Sequence, residues 1–126
     1  MTDLDPRFSG GRNITMKIPP HRYDATIKFY REVLHLPEVT SPSGAAVGFE
    51  FGACNLWIDN CPGLSPTEIW LEVVTSDTEA AARVLADAGI PRRDEIEDLG
   101  SGFDGFWVSS PADLIHLVDS QAQSWA

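Results

Sequence analysis

The chain has 126 residues, a length that suits a single globular domain with a sizeable core. Nine basic against nineteen acidic residues give a formal net charge of −10. This balance argues against nucleic acid as a partner, because phosphate binding needs clustered lysines and arginines. No apolar run approaches the roughly 18 residues that a membrane span requires, so no membrane association is expected.

The N-terminal segment, residues 1–12, is polar and has no apolar stretch that resembles a signal peptide. We therefore expect a loosely ordered arm on a cytoplasmic protein. Cys54 and Cys61 lie near opposite ends of one predicted strand, beyond the reach of a disulfide. They are expected to be free thiols, as in a reducing compartment.

The first half of the chain predicts a strand, a helix and three further strands. In the strand Asn13 to Ile18, aliphatic residues alternate with polar ones, so the two kinds of side chain point to opposite faces. Apolar residues at helical spacing predict a helix from about Asp24, the expected N-cap, to Leu34. The three further strands are predicted around Val39, at residues 46–51 and at residues 55–59.

The second half repeats this order after a linker rich in proline and glycine, residues 60–67. A strand from Glu68 to Val74 again alternates aliphatic with functional side chains. Ser76 and Glu79 form a predicted capping box, and the helix is expected to end at Ala88, before Gly89. The remaining strands are predicted around Ile96, at residues 106–109 and at residues 114–119.

A unit that occurs twice, about 55 residues apart, indicates an internal duplication. The sequence therefore predicts an α+β domain at residues 13–119, followed by a tail at residues 120–126. The domain contains two βαβββ modules, residues 13–60 and 68–119. The polar faces of two such sheets could close around one shared cavity.

Four segments in this order resemble the vicinal oxygen chelate superfamily, which includes glyoxalase I, bleomycin-resistance proteins and extradiol dioxygenases. They are FYREVLHL at residues 29–36, FEFG at 49–52, LWID at 56–59 and SPADLIHLV at 110–118, the last similar to that family's "DPdGnxiEl". The resemblance implies the glyoxalase/bleomycin-resistance fold. In that fold two tandem modules form a curved mixed sheet around a cavity, with the helices on the outer face.

In metal-using members of the superfamily, up to four side chains enter the cavity from the first and last strands of each module. Carried over by position, these are Asn13, Asp59, Glu68 and His116, if the turn at Pro111 is one residue short. Asp59, Glu68 and His116 would then hold a divalent Mn, Fe, Ni or Zn ion, with Glu68 also a candidate catalytic base. The alternative is an ion pair between Glu68 and His116 on neighbouring strands.

Tryptophans and further polar residues complete the candidate ligand-binding site. Trp57, Trp70 and Trp107 are predicted either to form aromatic walls of the cavity or to pack as core. Alternation places four more residues on the cavity side, Asn13, Thr15, Lys17 and Glu72. Lys17 and Glu72 could contact a charged ligand or pair with each other.

Two functions remain open at this point. A protein of the bleomycin-resistance kind would bind a small aromatic or hydrophobic molecule and sequester an antibiotic or toxin without a metal. A lyase or isomerase of the glyoxalase kind, or a dioxygenase, would use the divalent metal as a Lewis acid. The incomplete ligand set and the tryptophans favour the first function. The resemblance also implies a homodimer.

Overall fold

A computed structural model of the protein describes residues 6–41 and 43–120. Seven strands are present in these residues: β1 (Phe8–Ile18), β2 (Glu38–Thr40), β3 (Val47–Phe51), β4 (Cys54–Asn60), β5 (Glu68–Thr75), β6 (Gly105–Ser109) and β7 (Ile115–Asp119). Two α-helices accompany them, α1 (Pro20–Lys28) and α2 (Thr78–Asp87). A π-helix, Phe29–Val33, directly continues α1.

The chain divides into two compact units. The first unit contains described residues 12–41 and 43–70, and the second contains residues 6–11 and 71–120. In the first unit the strands are hydrogen-bonded in the order β2-β3-β4-β1, with β1 parallel to β4 and the other pairs antiparallel. In the second unit β7 lies between β5, to which it is parallel, and β6, to which it is antiparallel. The predicted mixed-sheet α+β architecture is confirmed.

The core of the first unit packs one face of its strands against α1. Its buried residues are Ile18, Ile27, Phe49, Leu56 and Ile58, and Ile14 and Met16 pack beside them. Because strand side chains alternate, the neighbours of these residues on β1 and β4 point to the opposite face. The aliphatic alternation that predicted β1 is therefore what directs its polar residues away from the helix.

The core of the second unit follows the same rule. Ala81 of α2 packs with Phe106, Val108 and Val118 of the strands, and Val73 and Leu85 pack against this cluster. The strand residues between these positions lie on the opposite face. They include Glu72, Trp107 and Leu117.

Strand β1 and helix α1 both begin earlier than the sequence predicted. β1 starts at Phe8, so residues 8–12 of the expected arm belong to a strand. Helix α1 starts at Pro20 after Pro19, and Asp24 lies inside it rather than at its N-cap. A proline at the first helical position costs nothing, since the missing N–H would have no partner within the helix.

The cap of α2 also differs from the prediction by one residue. The N-cap is Asp77, whose carboxylate accepts a 3.1 Å hydrogen bond from the Ala80 N–H. The Ser76 hydroxyl instead accepts a 3.0 Å bond from the N–H of Arg7, the residue before β1. The helix ends at Asp87, one residue before the predicted Ala88, which is its C-cap, and Gly89 lies in the left-handed region at φ 87°, as expected.

The strand predicted around Ile96 does not form. The Ile96 N–H instead donates a 3.1 Å hydrogen bond to the Arg93 carbonyl, which closes a turn. In the same segment the Arg93 N–H donates a 2.7 Å hydrogen bond to the Trp107 carbonyl of β6. The second unit therefore has one strand fewer than the predicted βαβββ order among the residues that the structure describes.

The cysteines and the helices bear on two further expectations. Neither Cys54 nor Cys61 forms a disulfide, as predicted. None of the helices within the described ranges is both long enough and apolar enough to cross a membrane.

Candidate functional site

The face of the first unit that points away from α1 carries a network of polar and aromatic side chains, which we call the polar face. It is formed by Asn13 and Lys17 of β1, Trp57 and Asp59 of β4, and Glu68 and Trp70 at the start of β5. The parallel register of β1 and β4 places Asn13 opposite Asn55, Thr15 opposite Trp57 and Lys17 opposite Asp59. All six residues of the polar face were predicted from the sequence as candidate site residues.

One end of the polar face is organised around Asn13. Its side-chain carbonyl accepts a 2.7 Å hydrogen bond from the Trp57 indole N–H and a 3.2 Å bond from the Asn55 amide. Trp57, only 7% exposed, packs its ring against Gly48 of β3. A Cβ atom at residue 48 would lie 2.6 Å from Trp57 Cε3, so only glycine leaves room for the ring.

The other end is organised around Lys17, which is buried although it carries a charge. Its ammonium group donates a 2.6 Å hydrogen bond to Asp59 and lies 4.2 Å from the centroid of the Trp70 ring. The Trp70 indole N–H in turn donates a 2.9 Å bond to Glu68. A cation over an indole face is attracted by the ring quadrupole, and burial strengthens this attraction. The half-buried Trp70 is therefore held at both its face and its edge.

The other predicted ligand-binding residues occupy different surroundings. Thr15 is half-buried in the middle of β1. The Glu72 carboxylate, in the second unit, lies directly over Gly11, where any side chain would collide with it. Trp107 is buried, and its indole N–H donates a 2.9 Å hydrogen bond to the Glu97 carbonyl. Trp107 is thus covered by the segment that leads into β6.

His116 lies on the helix-facing side of β7, away from the side on which Glu72 lies. It lines a cavity together with Val73, Leu85 and Val118, residues of the second unit's core or packed against it. The register of β5 and β7 places Leu117, not His116, opposite Glu72. The turn before β7 explains the difference. Asp113 has a φ of 63°, the conformation that the glycine of "DPdGnxiEl" would supply, so the turn is not shortened.

Comparison with solved structures identifies the fold. A Mn(II)-bound glyoxalase from Novosphingobium aromaticivorans matches 96% of this chain at a TM-score of 0.62 and 18% identity. A hypothetical protein from Bacillus halodurans C-125 also matches 96% of this chain, at a TM-score of 0.61 and 11% identity. A glyoxalase/bleomycin resistance protein/dioxygenase superfamily member from Vibrio splendidus 12B01 matches 90% of this chain, at a TM-score of 0.56 and 13% identity. The chain has the vicinal oxygen chelate fold.

The extent of the match differs among these proteins. This chain spans 42% of the glyoxalase, but 98% of the Bacillus protein and 100% of the Vibrio protein. No protein-family model and no curated protein matches the sequence. The similarity therefore establishes the vicinal oxygen chelate fold and leaves the activity to be argued from the side chains.

The side chains at the metal positions of the vicinal oxygen chelate fold do not form a suitable donor set. Asn13 accepts hydrogen bonds from an indole N–H and a side-chain amide, Asp59 pairs with Lys17, and Glu68 accepts from Trp70. Within residues 6–41 and 43–120, no group of three or more His, Cys, Asp or Glu side chains is arranged to hold a metal ion. Since the fourth position holds Leu117, the residues present do not fit the divalent metal that the resemblance implied.

Two residues of the site were not selected from the sequence. Asn55 stands four residues before Asp59 on the same strand, and the strand period of two would have placed it on the polar face. Gly48 carries no side-chain signal at all, because its role depends on the Trp57 ring of the neighbouring strand.

Proposed function

We propose that this chain binds a small aromatic or hydrophobic molecule on the polar face of its first unit. The binding would serve to sequester an antibiotic or toxin, in the manner of a bleomycin-resistance protein, and would use no resident metal. The observation that carries the proposal is the arrangement of Trp70, held between the Lys17 ammonium and the Glu68 carboxylate. An aromatic side chain fixed in this way is a ready surface for a flat ligand.

The contacts of Trp70 favour binding because they fix its orientation before any ligand arrives. A side chain that is already ordered loses less rotamer entropy on binding, which commonly saves about 0.5–1.5 kcal/mol per immobilised side chain. Asp59 adds a polar anchor beside this surface, since its side chain is 48% exposed although one oxygen is bonded to Lys17. The polar face thus combines an aromatic wall with an accessible carboxylate.

The same contacts weigh against a metal-dependent enzyme. A divalent ion on this face would have to displace the Lys17 ammonium from Asp59 and an indole N–H from Glu68. Each displacement would leave a polar or charged group without its present partner, at a cost of about 1–3 kcal/mol. Sequestration needs only a shaped surface with suitable polar groups and requires neither displacement.

The test is a fluorescence titration with bleomycin and a set of planar aromatic antibiotics. A binding partner should quench tryptophan fluorescence saturably, and Trp70→Leu should weaken the affinity at least 10-fold, or about 1.4 kcal/mol. Trp107→Phe is the matched control, since Trp107 is a buried tryptophan of the second unit. Equal affinity in the wild type and in Trp70→Leu would contradict the proposed site.

Elemental analysis of protein purified without a metal-affinity tag tests the alternative. Stoichiometric Mn, Fe, Ni or Zn that disappears in both Asp59→Ala and Glu68→Ala would favour the lyase, isomerase or dioxygenase. Under our proposal the metal content is the same, and substoichiometric, in all three proteins.

We also propose that the chain forms a homodimer. Three large apolar side chains near the end of the first helical segment support this, Phe29, Val33 and Leu34, which are 45%, 63% and 45% exposed. Exposed apolar residues that cluster on one element favour a protein interface. Light scattering at micromolar concentration should give twice the chain mass, and Val33→Asp should shift the mass towards the monomer. A monomeric wild type would contradict this proposal.

A further inference from the structure

The polar face of the first unit carries charges of both signs, and the two signs differ in their access to a ligand. Lys17 is buried, with its ammonium group 2.6 Å from Asp59 and 4.2 Å from the centroid of the Trp70 ring. The Asp59 side chain is about half exposed, and Glu68 is half-buried. A molecule that approaches this face therefore contacts carboxylate oxygens more readily than the ammonium group.

A third carboxylate lies on the same side of the strands. Glu50 of β3 is exposed and stands opposite Asn55 in the antiparallel register of β3 and β4. Its neighbour Phe49 belongs to the core that packs against α1, so alternation directs the Glu50 side chain to the side of the polar face. Three carboxylates, those of Glu50, Asp59 and Glu68, thus accompany one buried ammonium group.

The other lysines and arginines among the described residues of the first unit lie elsewhere. Three belong to α1 and the π-helix that continues it, which pack against the opposite side of the strands: Arg22, Lys28 and Arg31. Arg12 adjoins Asn13 on β1, so alternation directs its side chain to that opposite side as well. An anionic ligand on the polar face would therefore depend on the buried Lys17, which is already paired with Asp59.

The Trp70 ring also favours a positive charge. The Lys17 ammonium group lies over one face of the indole, so a ligand that stacks on this ring must use the opposite face. A cationic ring system there is attracted by the ring quadrupole in addition to the stacking, whereas a neutral ring gains the stacking alone. Glu68 lies at the edge of the indole, where it accepts the N–H, and Asp59 lies beside the lysine. Both carboxylates can therefore attract a cation held on Trp70.

We propose that the ligand of the polar face is a planar aromatic cation. Its ring stacks on Trp70, and its positive charge is attracted by the Asp59 and Glu68 carboxylates. This inference rests on the function proposed above and names the chemical class of the ligand. The net charge of the whole chain, −10, would also attract such a ligand from a distance.

The experiment compares three probes that share one bicyclic ring system. N-methylquinolinium carries a positive charge, 4-methylquinoline is neutral in mildly alkaline buffer, and quinoline-4-carboxylate is an anion. Each is titrated into the full-length protein by calorimetry at low ionic strength. N-methylquinolinium should bind roughly 3- to 10-fold more tightly than 4-methylquinoline, as expected for a cation over an indole beside a partly exposed carboxylate. The carboxylate should bind most weakly, and added salt should reduce the advantage of the cation without affecting the neutral probe.

Asp59→Asn tests the site, because it removes the charge and keeps an oxygen that can accept from Lys17. The advantage of the cation should fall to less than about half of its wild-type value. Glu38→Gln is the matched control, since it removes one charge from the chain at a residue whose register partner, Phe49, lies on the opposite side of the strands. It should retain the advantage. Glu68→Gln gives a second test if Asp59→Asn does not fold, and it should also reduce the advantage.

The outcomes distinguish this inference from the proposed function. If none of the probes binds at millimolar concentration, the proposed function fails and this inference fails with it. If the neutral probe or the anion binds as tightly as the cation, an aromatic site remains and the positive charge is overturned. The inference is equally overturned if Glu38→Gln reduces the advantage as much as Asp59→Asn, or if the folded Asp59→Asn and Glu68→Gln variants both retain it.

Discussion

The Lys17 ammonium group donates a 2.6 Å hydrogen bond to Asp59, its partner in the parallel register of β1 and β4. The two side chains differ sharply in burial, 5% exposed for Lys17 and 48% for Asp59. Water can therefore replace the lysine around Asp59, but it cannot easily replace the carboxylate next to the buried ammonium. Removing Asp59 should therefore cost more free energy of unfolding than removing Lys17.

This asymmetry predicts unequal effects of removing either partner. Asp59→Ala should lower the free energy of unfolding by about 1–3 kcal/mol, because a buried charge loses its compensating carboxylate. Lys17→Met should cost less than about 1 kcal/mol, since the apolar side chain fits the buried site and Asp59 is hydrated. Urea denaturation measures both. Equal losses, or a larger loss for Lys17→Met, would contradict the asymmetry. Glu38→Ala, which removes one partner of the exposed pair with Arg31, serves as the control.

Gly48 should be intolerant of even the smallest side chain. A methyl group there collides with the Trp57 ring, which cannot swing away without losing its hydrogen bond to Asn13. We expect Gly48→Ala to destabilise the protein by about 1–3 kcal/mol, the usual cost of overpacking. Gly63→Ala is the control because a Cβ atom there meets no neighbour within 4 Å. If thermal unfolding shows the same midpoint for both variants, the stacking of Trp57 on Gly48 is wrong.

Asn13 and Trp57 should be energetically coupled. Asn13→Leu leaves the buried Trp57 indole N–H without its acceptor, which should cost about 1–3 kcal/mol. In a Trp57→Phe background no N–H remains to be satisfied, so the same substitution should cost clearly less. A double-mutant cycle from denaturant unfolding measures the difference. Additive losses would show that the hydrogen bond contributes nothing.

The Arg31–Glu38 pair makes a prediction about pH. Hydrogen bonds from the Arg31 guanidinium lower the pKa of Glu38 below its ordinary value of 4.5. A carboxylate with a lowered pKa stabilises the fold above its ordinary pKa, and this contribution is lost as the pH falls through the folded-state pKa. In Arg31→Ala the pKa of Glu38, followed by the NMR shift of its carboxyl carbon, should rise towards 4.5. Arg92→Ala should leave it unchanged, and salt should weaken the effect because the pair is exposed.

Local patterns predicted most of the secondary structure of this fold. Alternation identified β1 and β5 and assigned Asn13, Lys17 and Trp70 to the face away from the helices, because a strand has only two faces. The start of a helix was predicted less accurately where more than one nearby residue could serve as its N-cap. Asp24 and Ser76 are both good capping residues by type, but the N-caps are Pro19 and Asp77, since the choice among nearby candidates depends on where the chain enters the fold.

The face of His116 could not be derived in the same way. A count that differs by one residue reverses every side chain of a strand, and the count depended on whether Asp113 adopts a positive φ, as it does. The resemblance predicted which residues would hold a metal. It did not predict the side chains with which those residues pair instead. Lys17 of β1 pairs with Asp59 of the neighbouring strand β4, and Trp70 donates to Glu68, two residues earlier on the same strand β5.

The sequence by itself determined the class of fold, the polar face of β1 and the candidate tryptophans, because these follow from periodicities along one strand or helix. Only the tertiary structure decided that Lys17 is buried against Asp59 and Trp70, that Gly48 accommodates Trp57, and that His116 borders an apolar cavity. The physical reason is the range of the interactions. Alternation acts between near neighbours in the chain, whereas pairing and burial depend on the register of strands that are distant in sequence.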